Sequence, residues 1–256
     1  LKVGLNGFGR IGRSFARIAL QRNTFDLVII NTRSSNSETI VNLLQNDYIY
    51  GNFQKKVGST QNSIFVDGKE IHINQSDSLE NIPWDKAGAD VVVDATGAFD
   101  TTTDLKKHIK GSVKKVILTA ISKDEEMAHI VFGVNNNSFD FKNTEIISNC
   151  SCTTNSVAVL YKVLLDSFGI KSSFFTTVHA YTQSQVSLVD LSKLKTTELK
   201  IIPATTGASK GVIRVIPELL GKIQGMALRV PVPTVSFSDI TAILDKPASK
   251  EEINHS

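Results

Sequence analysis

A cysteine and a histidine in this sequence could together carry out covalent chemistry. Ser151 can serve as the N-cap of an amphipathic helix predicted over residues 153–168, which places Cys152 in the first turn. A thiolate is stabilised at a helix N-terminus by the helix dipole and the free N–H groups. His179 lies on a predicted strand and could take the thiol proton, because a cysteine nucleophile needs a base at no fixed sequence distance.

Each of these residues also has a simpler explanation. A lone cysteine is most often a small buried hydrophobe, and a lone histidine in a strand more often completes a core. Cys150 and Cys152 could share a metal ion, but further ligands at zinc spacing are missing, so no metal site is expected. We interpret Cys150 as a packing residue, and a redox partnership with Cys152 is the alternative.

A glycine-rich segment near the start of the chain, Gly7-Phe8-Gly9-Arg10-Ile11-Gly12, fits the pattern G-x-G-x-x-G. It follows a predicted strand and opens a predicted helix, which is the context that gives this pattern its meaning. Gly7 permits the tight turn, Gly9 lets the backbone approach a pyrophosphate, and Gly12 lets the helix pack closely on the strand. The segment therefore predicts a dinucleotide site.

The end of the second predicted strand bears on the choice between NAD and NADP. Thr32 stands where an Asp or Glu would bind the ribose 2′-hydroxyl of NAD. Arg33 and two serines follow, and hydroxyls with a guanidinium suit a 2′-phosphate. We hypothesise that NADP is accepted. The alternative is that Arg33 is merely solvated and NAD is used.

The first half of the chain contains short runs rich in Val and Ile, which are typical of strands buried on both faces of a parallel sheet. These runs are residues 3–5, 27–30, 91–93, 116–118, 130–134 and 146–147. The helix after the first run has an apolar face of Ile11, Phe15, Ile18 and Ala19. Asp67-Gly68 separates two further runs, 64–66 and 71–73, as a hairpin turn would. Residues 1–150 are thus predicted to form a Rossmann-like dinucleotide-binding domain with a parallel sheet.

The second half has a different pattern. The predicted helix ends before Gly169, and its apolar face is Val157, Leu160, Tyr161, Leu164, Leu165 and Phe168. Alternating, antiparallel-looking strands follow at residues 174–181, 226–230 and 235–244, and a long polar loop at 182–203 is typical of a functional or interface segment. A capping box, Ser249 to Glu252, predicts a helix near the end. Residues 151–256 are predicted to form an α+β catalytic domain with an antiparallel sheet, which makes the fold class α/β.

Composition excludes several classes of protein. The 256 residues are 41% hydrophobic and 21% charged, as in globular proteins of one or two domains. No run approaches the roughly 18 apolar residues of a membrane span, and a net charge of +3 gives no reason to expect a nucleic-acid or membrane partner. Two cysteines and no signal peptide are typical of a cytoplasmic protein.

Segments along the whole chain resemble the phosphorylating glyceraldehyde-3-phosphate dehydrogenases. They are residues 6–13, 151–155, 179–182, 206–208 and 225–231, with shorter matches at 95–97 and 215–219. The run Ser151-Cys152-Thr153-Thr154-Asn155 is highly specific to that family. The resemblance implies an NAD(P)-dependent oxidoreductase that acts on a phosphorylated aldehyde and inorganic phosphate.

The resemblance also implies a chemistry. Cys152 would attack the aldehyde carbon of glyceraldehyde 3-phosphate to give a thiohemiacetal, and His179 would accept the thiol proton. Hydride transfer to the nicotinamide would leave a thioester, from which inorganic phosphate would release 1,3-bisphosphoglycerate. The residues implied for substrate and phosphate binding are Ser151, Thr153, Thr182, Thr206, Gly207 and Arg229. Those implied for cofactor binding are Asn6, Gly7, Gly9, Arg10, Ile11, Gly12, Thr32, Arg33, Thr96, Gly97 and Thr119.

Further expectations concern assembly, completeness and alternatives. The resemblance implies a cytoplasmic homotetramer of glycolysis or gluconeogenesis, and a chain that ends before the last strands and helix of the family. Lys195 replaces an arginine usual in the long loop, which would weaken a phosphate site. Two alternative functions stay open: an erythrose-4-phosphate dehydrogenase of the same family, and a catalytically silent binding or scaffold protein.

Overall fold

The computed structural model describes residues 1–181 and 200–256. These residues form two compact units. The first comprises Leu1–His129 and Asp140–Cys150, and the second comprises Ile130–Phe139 and the described part of Ser151–Ser256. The predicted domain boundary at residue 150 stays a prediction.

The first unit contains a large sheet and three helices. Its strands are β1 (Lys2–Asn6), β2 (Asp26–Thr32), β3 (Asn46–Asp47), β4 (Gly51–Asn52), β5 (Val57–Ser59), β6 (Ser63–Val66), β7 (Lys69–Gln75), β8 (Val91–Asp94), β9 (Lys115–Leu118), β10 (Ala128–His129) and β11 (Ile146–Ser148). Its helices are α1 (Arg10–Arg22), α2 (Ser37–Gln45) and α3 (Thr102–Lys106). The order of the sheet is β10-β11-β9-β8-β1-β2-β7-β6-β5, and β3 pairs with β4 separately.

The central strands of this sheet are parallel, and both of their faces are covered. Every pair from β10 to β7 is parallel, whereas β7, β6 and β5 pair antiparallel. Neighbouring residues such as Val92 and Val93 point to opposite faces and are both buried. Ile29 and Trp84 belong to one core cluster and Leu5 to another. The apolar runs that form these central strands are therefore covered on both faces, as the sequence predicted.

Two local predictions for this half have different outcomes. The hairpin is confirmed, since Asp67 and Gly68 have φ of 48° and 82° and connect β6 to β7. The strand predicted at residues 130–134 is wrong, because β10 ends at His129 and a turn follows. Gly133 takes a φ of 85°, and the Asn135 side chain accepts from the Val131 N–H at 3.0 Å. The backbone donor of this apolar run is thus satisfied locally rather than by a sheet.

The predicted apolar face of α1 is also wrong in part. Ile11 and Ile18 are half-exposed, whereas Gly12, Ala16 and Leu20 are buried. A Cβ added at Gly12 would lie 2.0 Å from the Gly7 carbonyl oxygen. The missing side chain of Gly12 therefore lets the helix lie directly on the backbone of the loop, and the larger isoleucines lie outside this contact.

The second unit contains a smaller sheet and three described helices. Its strands are β12 (Ile170–Ala180), β13 (Ile202–Ala204), β14 (Ile223–Val230) and β15 (Ser236–Leu244), and its helices are α4 (Cys152–Phe168), α5 (Ala208–Val215) and α6 (Lys250–His255). The order is β13-β14-β12-β15, with β12 and β14 parallel and the other two pairs antiparallel. The predicted fold class is confirmed.

Helices α4 and α5 pack against one face of the smaller sheet. Tyr161 of α4 meets Phe175 of β12 edge to face, with ring centroids 6.3 Å apart. The predicted termination at Gly169 is confirmed, with a φ of 72°, and so is the capping box of α6. Leu160, predicted on the apolar face of α4, is instead half-exposed. Within the described ranges no helix is both long and apolar enough to cross a bilayer.

Candidate active site

The start of α4 positions the candidate nucleophile. Ser151 is the N-cap, and its Oγ accepts a hydrogen bond from the Thr154 N–H at 3.0 Å, as predicted. Cys152 is the first helical residue, and its side chain is exposed. A negative charge is stabilised at this end of a helix. An exposed thiol in the first turn can therefore reach a substrate and act as a nucleophile.

Strand β12 brings the candidate base to this thiol. His179 lies near the end of the strand, paired with Arg229 of β14 on one side and Ser236 of β15 on the other. The distance between Cys152 Sγ and His179 Nε2 is 3.2 Å. The two side chains, 27 residues apart in sequence, are thus within proton-transfer distance.

The other ring nitrogen of the histidine has two neighbours. His179 Nδ1 is 2.6 Å from the Ala180 carbonyl oxygen and 2.6 Å from Arg229 Nη1. The same Nη1 donates to the Ala180 carbonyl oxygen at 3.2 Å. Register explains the approach, because neighbouring strands place the pair His179 and Arg229 side by side. The structure therefore joins three predicted site residues, Cys152, His179 and Arg229, in one cluster.

The remaining residues expected to bind phosphate lie in different environments. Thr153 is buried beside the nucleophile, whereas Gly207 is the exposed N-cap of α5. The Thr206 hydroxyl accepts from the Ala208 N–H at 3.1 Å at the start of the same helix. Thr182 lies outside the described residues, as does Lys195.

The residues expected to bind the dinucleotide lie at the carboxyl ends of four neighbouring parallel strands. Asn6 ends β1, Thr32 ends β2, Thr96 and Gly97 follow β8, and Thr119 follows β9. Register pairs Asn6 with both Asn31 and Asp94. Since these strands are parallel, their ends form one edge, where α/β sheets bind ligands.

The glycine-rich loop has the shape that an anion requires. Gly7 has a φ of 95°, and its N–H donates to the Asn31 carbonyl at 2.9 Å. Gly9 is the N-cap of α1 and provides no side-chain hydrogen bond, and the first turn, which contains Arg10 and Ile11, has no acidic residue. A pyrophosphate fits such a helix N-terminus because backbone N–H groups and the dipole both favour negative charge.

Models of two known domains match this chain. The glyceraldehyde 3-phosphate dehydrogenase NAD binding domain matches residues 1–102, and the C-terminal domain of the same family matches residues 151–256. Glyceraldehyde-3-phosphate dehydrogenase 1 of Bacillus cereus is 42% identical over 257 residues, which are 99% of this chain and 76% of the relative. The chain belongs to the glyceraldehyde 3-phosphate dehydrogenase family.

Other relatives agree with this assignment. The glyceraldehyde-3-phosphate dehydrogenase of Geobacillus stearothermophilus is 43% identical over 99% of this chain and 76% of its own length. That of Borreliella burgdorferi is 45% identical over 99% of this chain and 78% of its own length. The predicted family and the predicted class, an NAD-binding oxidoreductase, are confirmed.

The part of the chain that matches the NAD binding domain contains a residue that sequence reasoning missed. Asp94 is fully buried at the end of β8 and accepts from Asn6 Nδ2 at 2.8 Å, from the Thr96 N–H at 3.0 Å and from Thr96 Oγ1 at 2.7 Å. His108 Nε2 lies 3.2 Å from the same carboxylate. A carboxylate that ends an apolar strand, directly before Ala95-Thr96-Gly97, was the available signal.

Asp94 joins two loops at the edge of the sheet where the dinucleotide is expected. It links Asn6, which precedes the glycine loop, to Thr96, which follows β8. The Thr119 hydroxyl donates to the backbone carbonyl of Asp94 at 3.1 Å. Hydrogen bonds of the buried Asp94 therefore fix the edge that is expected to receive the cofactor.

Proposed function

We propose that this chain oxidises glyceraldehyde 3-phosphate to 1,3-bisphosphoglycerate, with Cys152 as the nucleophile and His179 as the base. The 3.2 Å separation of Sγ and Nε2 supports this proposal most directly. The relatives that match almost the whole chain are named for this dehydrogenase. A cysteine needs such a base, within hydrogen-bond reach, to become a nucleophile.

In the first half-reaction Cys152 Sγ bonds to the aldehyde carbon, and the carbonyl electron pair moves to oxygen. The thiol proton passes to His179 Nε2, which then returns it to that oxygen to complete a thiohemiacetal. NAD, when bound, supplies the hydride acceptor for the oxidation of this adduct. His179 takes up the hydroxyl proton, and a thioester on Cys152 remains.

In the second half-reaction inorganic phosphate attacks the thioester. A phosphate oxygen bonds to the acyl carbon, the C–S bond breaks, and the Cys152 thiolate leaves as the acyl phosphate forms. The proton held by His179 then returns to this thiolate. We propose that Arg229 contributes charge to phosphate binding, because its guanidinium suits phosphate geometry. The residues proposed to complete the two phosphate sites are Ser151, Thr153, Thr182, Thr206 and Gly207.

The proposed dinucleotide site lies at the carboxyl edge of the large sheet. Two features of the glycine loop support this placement: the positive φ of Gly7, and the absence of a side-chain cap at Gly9, the N-cap of α1. The residues that would hold the cofactor there are Asn6, Gly7, Gly9, Arg10, Ile11, Gly12, Thr32, Arg33, Thr96, Gly97 and Thr119. Their backbone N–H groups would bind the pyrophosphate, and the strand ends would bind the riboses.

Replacing the nucleophile tests the proposal. We expect Cys152→Ser to lower kcat/KM for glyceraldehyde 3-phosphate by at least about 10⁴-fold, because a serine hydroxyl is a much weaker nucleophile than a cysteine thiolate. Cys150→Ala, which removes the buried thiol, is the matched control and should retain turnover. Iodoacetamide should inactivate the wild type and the control in proportion to labelling of one thiol. Turnover that survives Cys152→Ser would refute the mechanism.

The same assay separates the two alternatives. Formation of NADH should require inorganic phosphate and should be faster with glyceraldehyde 3-phosphate than with erythrose 4-phosphate. Phosphate-independent oxidation of erythrose 4-phosphate would support the other dehydrogenase. A thiol of ordinary reactivity and no turnover with either aldehyde would support a silent binding protein.

We also propose that NADP is accepted beside NAD. The Thr32 hydroxyl donates to the Ser35 carbonyl at 3.0 Å and accepts from the Ser35 N–H at 3.2 Å, so the end of β2 has a closed turn and no carboxylate. Arg33 is exposed next to this turn. A guanidinium there would attract a 2′-phosphate, and no acidic residue at the position of Thr32 would repel it.

Two substitutions test cofactor choice. Arg33→Gln should lower kcat/KM for NADP about tenfold and leave that for NAD unchanged, since one charge-assisted contact is lost. Thr32→Asp should lower the NADP value further by repulsion. Arg22→Gln, at the exposed end of α1, is the control. A strong NAD preference in the wild type would contradict the proposal.

We further propose a homotetramer. One face of the smaller sheet bears three exposed apolar side chains, Phe174, Phe237 and Ile243, the last two exposed by 65% and 60%. An apolar face of this kind marks an interaction surface. Light scattering should give four times the chain mass, and Ile243→Glu should lower it, whereas Leu220→Glu, an exposed leucine outside the sheet, should not.

A cytoplasmic location is proposed on chemical grounds. Cys152 is an exposed cysteine, and the proposed nucleophile works only while its thiol stays reduced. Cell fractionation should recover the activity with cytoplasmic markers, and recovery outside the cytoplasm would contradict this.

A further inference from the structure

The two contacts of His179 Nδ1 require opposite states of that nitrogen. Toward the Ala180 carbonyl, 2.6 Å away, Nδ1 must carry a hydrogen and donate it. Toward Arg229 Nη1, also 2.6 Å away, it must present a lone pair, because a guanidinium only donates. A neutral imidazole cannot satisfy both neighbours at once, so each contact selects a different tautomer.

The position of Arg229 in the structure, with Nη1 next to His179 Nδ1, is consistent with only one of these tautomers. Its Nη1 carries two hydrogens, so it can donate one to Nδ1 and one to the Ala180 carbonyl, which is 3.2 Å away. The arginine then occupies the acceptor that the Nδ1 hydrogen would need. In this arrangement the ring hydrogen is on Nε2, and Nε2 donates toward Cys152 Sγ.

The other tautomer is the one that can act as a base. If Arg229 leaves, Nδ1 can carry the hydrogen and donate it to the Ala180 carbonyl. Nε2, 3.2 Å from Sγ, then presents a lone pair that accepts the thiol proton. The identity of the protonated nitrogen is therefore decided on the side of the ring that faces away from the nucleophile.

We propose that Arg229 couples anion binding to the tautomer of His179. An arriving phosphate group, whether on the substrate or inorganic, would compete for the guanidinium and draw it from Nδ1. The ring would then take the Nδ1–H tautomer and become a base only when an anion is present. Arg229 acts here as a positioning residue, beyond its proposed contact with phosphate. This inference rests on the proposed function.

Nitrogen NMR of the protein labelled with ¹⁵N-histidine tests the coupling directly. The shifts of the two ring nitrogens identify which one is protonated, and His179→Asn assigns the signals among the five histidines. Without phosphate the His179 hydrogen should be on Nε2, and saturating inorganic phosphate should move it to Nδ1. Because one charge-assisted hydrogen bond is exchanged, the tautomer ratio should change by roughly tenfold or more. Sodium chloride at equal ionic strength should not move it.

Two variants complete the test. Arg229→Met should give the Nδ1–H tautomer with or without phosphate. Lys171→Met removes an exposed cation from the other end of β12 and should respond as the wild type does. A wild-type tautomer that phosphate leaves unchanged overturns the inference, and this measurement needs no variant. A phosphate response that persists in Arg229→Met also overturns it.

The experiments distinguish a failure of this inference from a failure of the proposed function. If Cys152→Ser abolishes turnover while the tautomer ignores phosphate, only the coupling fails. If turnover survives Cys152→Ser, the catalytic scheme fails, whatever the NMR result.

Discussion

Two histidines, one in each unit, differ in how their partners fix them. His108 is fully buried; the Trp84 Nε1–H donates to its Nδ1 at 3.0 Å, and its Nε2 lies 3.2 Å from Asp94. Because an indole N–H only donates, Nδ1 must accept and Nε2 must carry the hydrogen. His179 instead is partly buried and has two incompatible neighbours at Nδ1. The partners of the His108 ring fix one tautomer, whereas the two neighbours of the His179 ring select different tautomers.

The difference shows what a structural and a reactive histidine each require. The network of His108 continues from Asp94 through Asn6 to Asn31, and each of these hydrogen bonds joins a donor to an acceptor. A buried network that is fully satisfied has no reason to change. A base must instead gain and lose a proton, so its partners must tolerate both states.

The largest predicted effect concerns activity. His179→Asn should lower kcat/KM about 10²–10⁴-fold, because general-base catalysis is lost, while the unfolding free energy changes by less than about 1 kcal/mol. Steady-state kinetics and urea unfolding measure both quantities. If His179→Asn instead destabilised the protein more than it slowed turnover, the contrast between the two histidines would be reversed.

The second prediction is the converse. His108→Ala should destabilise the protein by about 3 kcal/mol, because it opens a cavity and leaves the buried Trp84 N–H without its acceptor. Urea unfolding monitored by fluorescence of the single tryptophan measures this. His72→Ala, whose side chain is about half exposed, is the control and should cost less than about 0.5 kcal/mol. An equal loss in both variants would show that the buried network contributes little.

A smaller effect is expected at the start of α4. Ser151→Ala removes the cap that accepts the Thr154 N–H and should cost about 1 kcal/mol. Ser249→Ala removes the equivalent cap of α6 and serves as the comparison. Only the first substitution should also change the rate at which iodoacetamide labels Cys152. A rate unaffected by Ser151→Ala would mean that the cap does not position the thiol.

The smallest predicted effect concerns the buried hydroxyl of Tyr161 in the second unit and the dependence of stability on pH. Burial raises the pKa of Tyr161 above its ordinary value of 10.0, although its hydrogen bond with Ser173 opposes this. The folded state therefore holds this proton more tightly than the unfolded state. The contribution of Tyr161 to the unfolding free energy is fully present below about pH 10 and declines as pH rises through the raised pKa.

Unfolding measured at increasing alkaline pH checks this sign. The unfolding free energy of Tyr161→Phe should decline less steeply above about pH 10 than that of the wild type. Tyr48→Phe, at a fully exposed tyrosine, should follow the wild type. Identical slopes for all three proteins would contradict the expected shift.

The sequence predicted the elements that local rules specify. The glycine loop, the hairpin at Asp67-Gly68 and the helix capped by Ser151 were each indicated by residues adjacent in the chain. The strand expected at residues 130–134 was wrong, and the buried face expected for α1 was wrong in part. In the first segment a local turn satisfied the backbone. In α1 it is Gly12, rather than the isoleucines, that lies against the Gly7 backbone.

The sequence by itself determined the kinds of groups available: a thiol in a helix first turn, an imidazole on a strand, and glycines where the backbone must bend. Only the tertiary structure decided which atoms meet, because strand register placed Arg229 beside His179 and Asp94 beside Asn6. Hydrogen bonds depend on separations of a few ångströms. Such separations between residues tens of positions apart are set by packing, which local spacing does not encode.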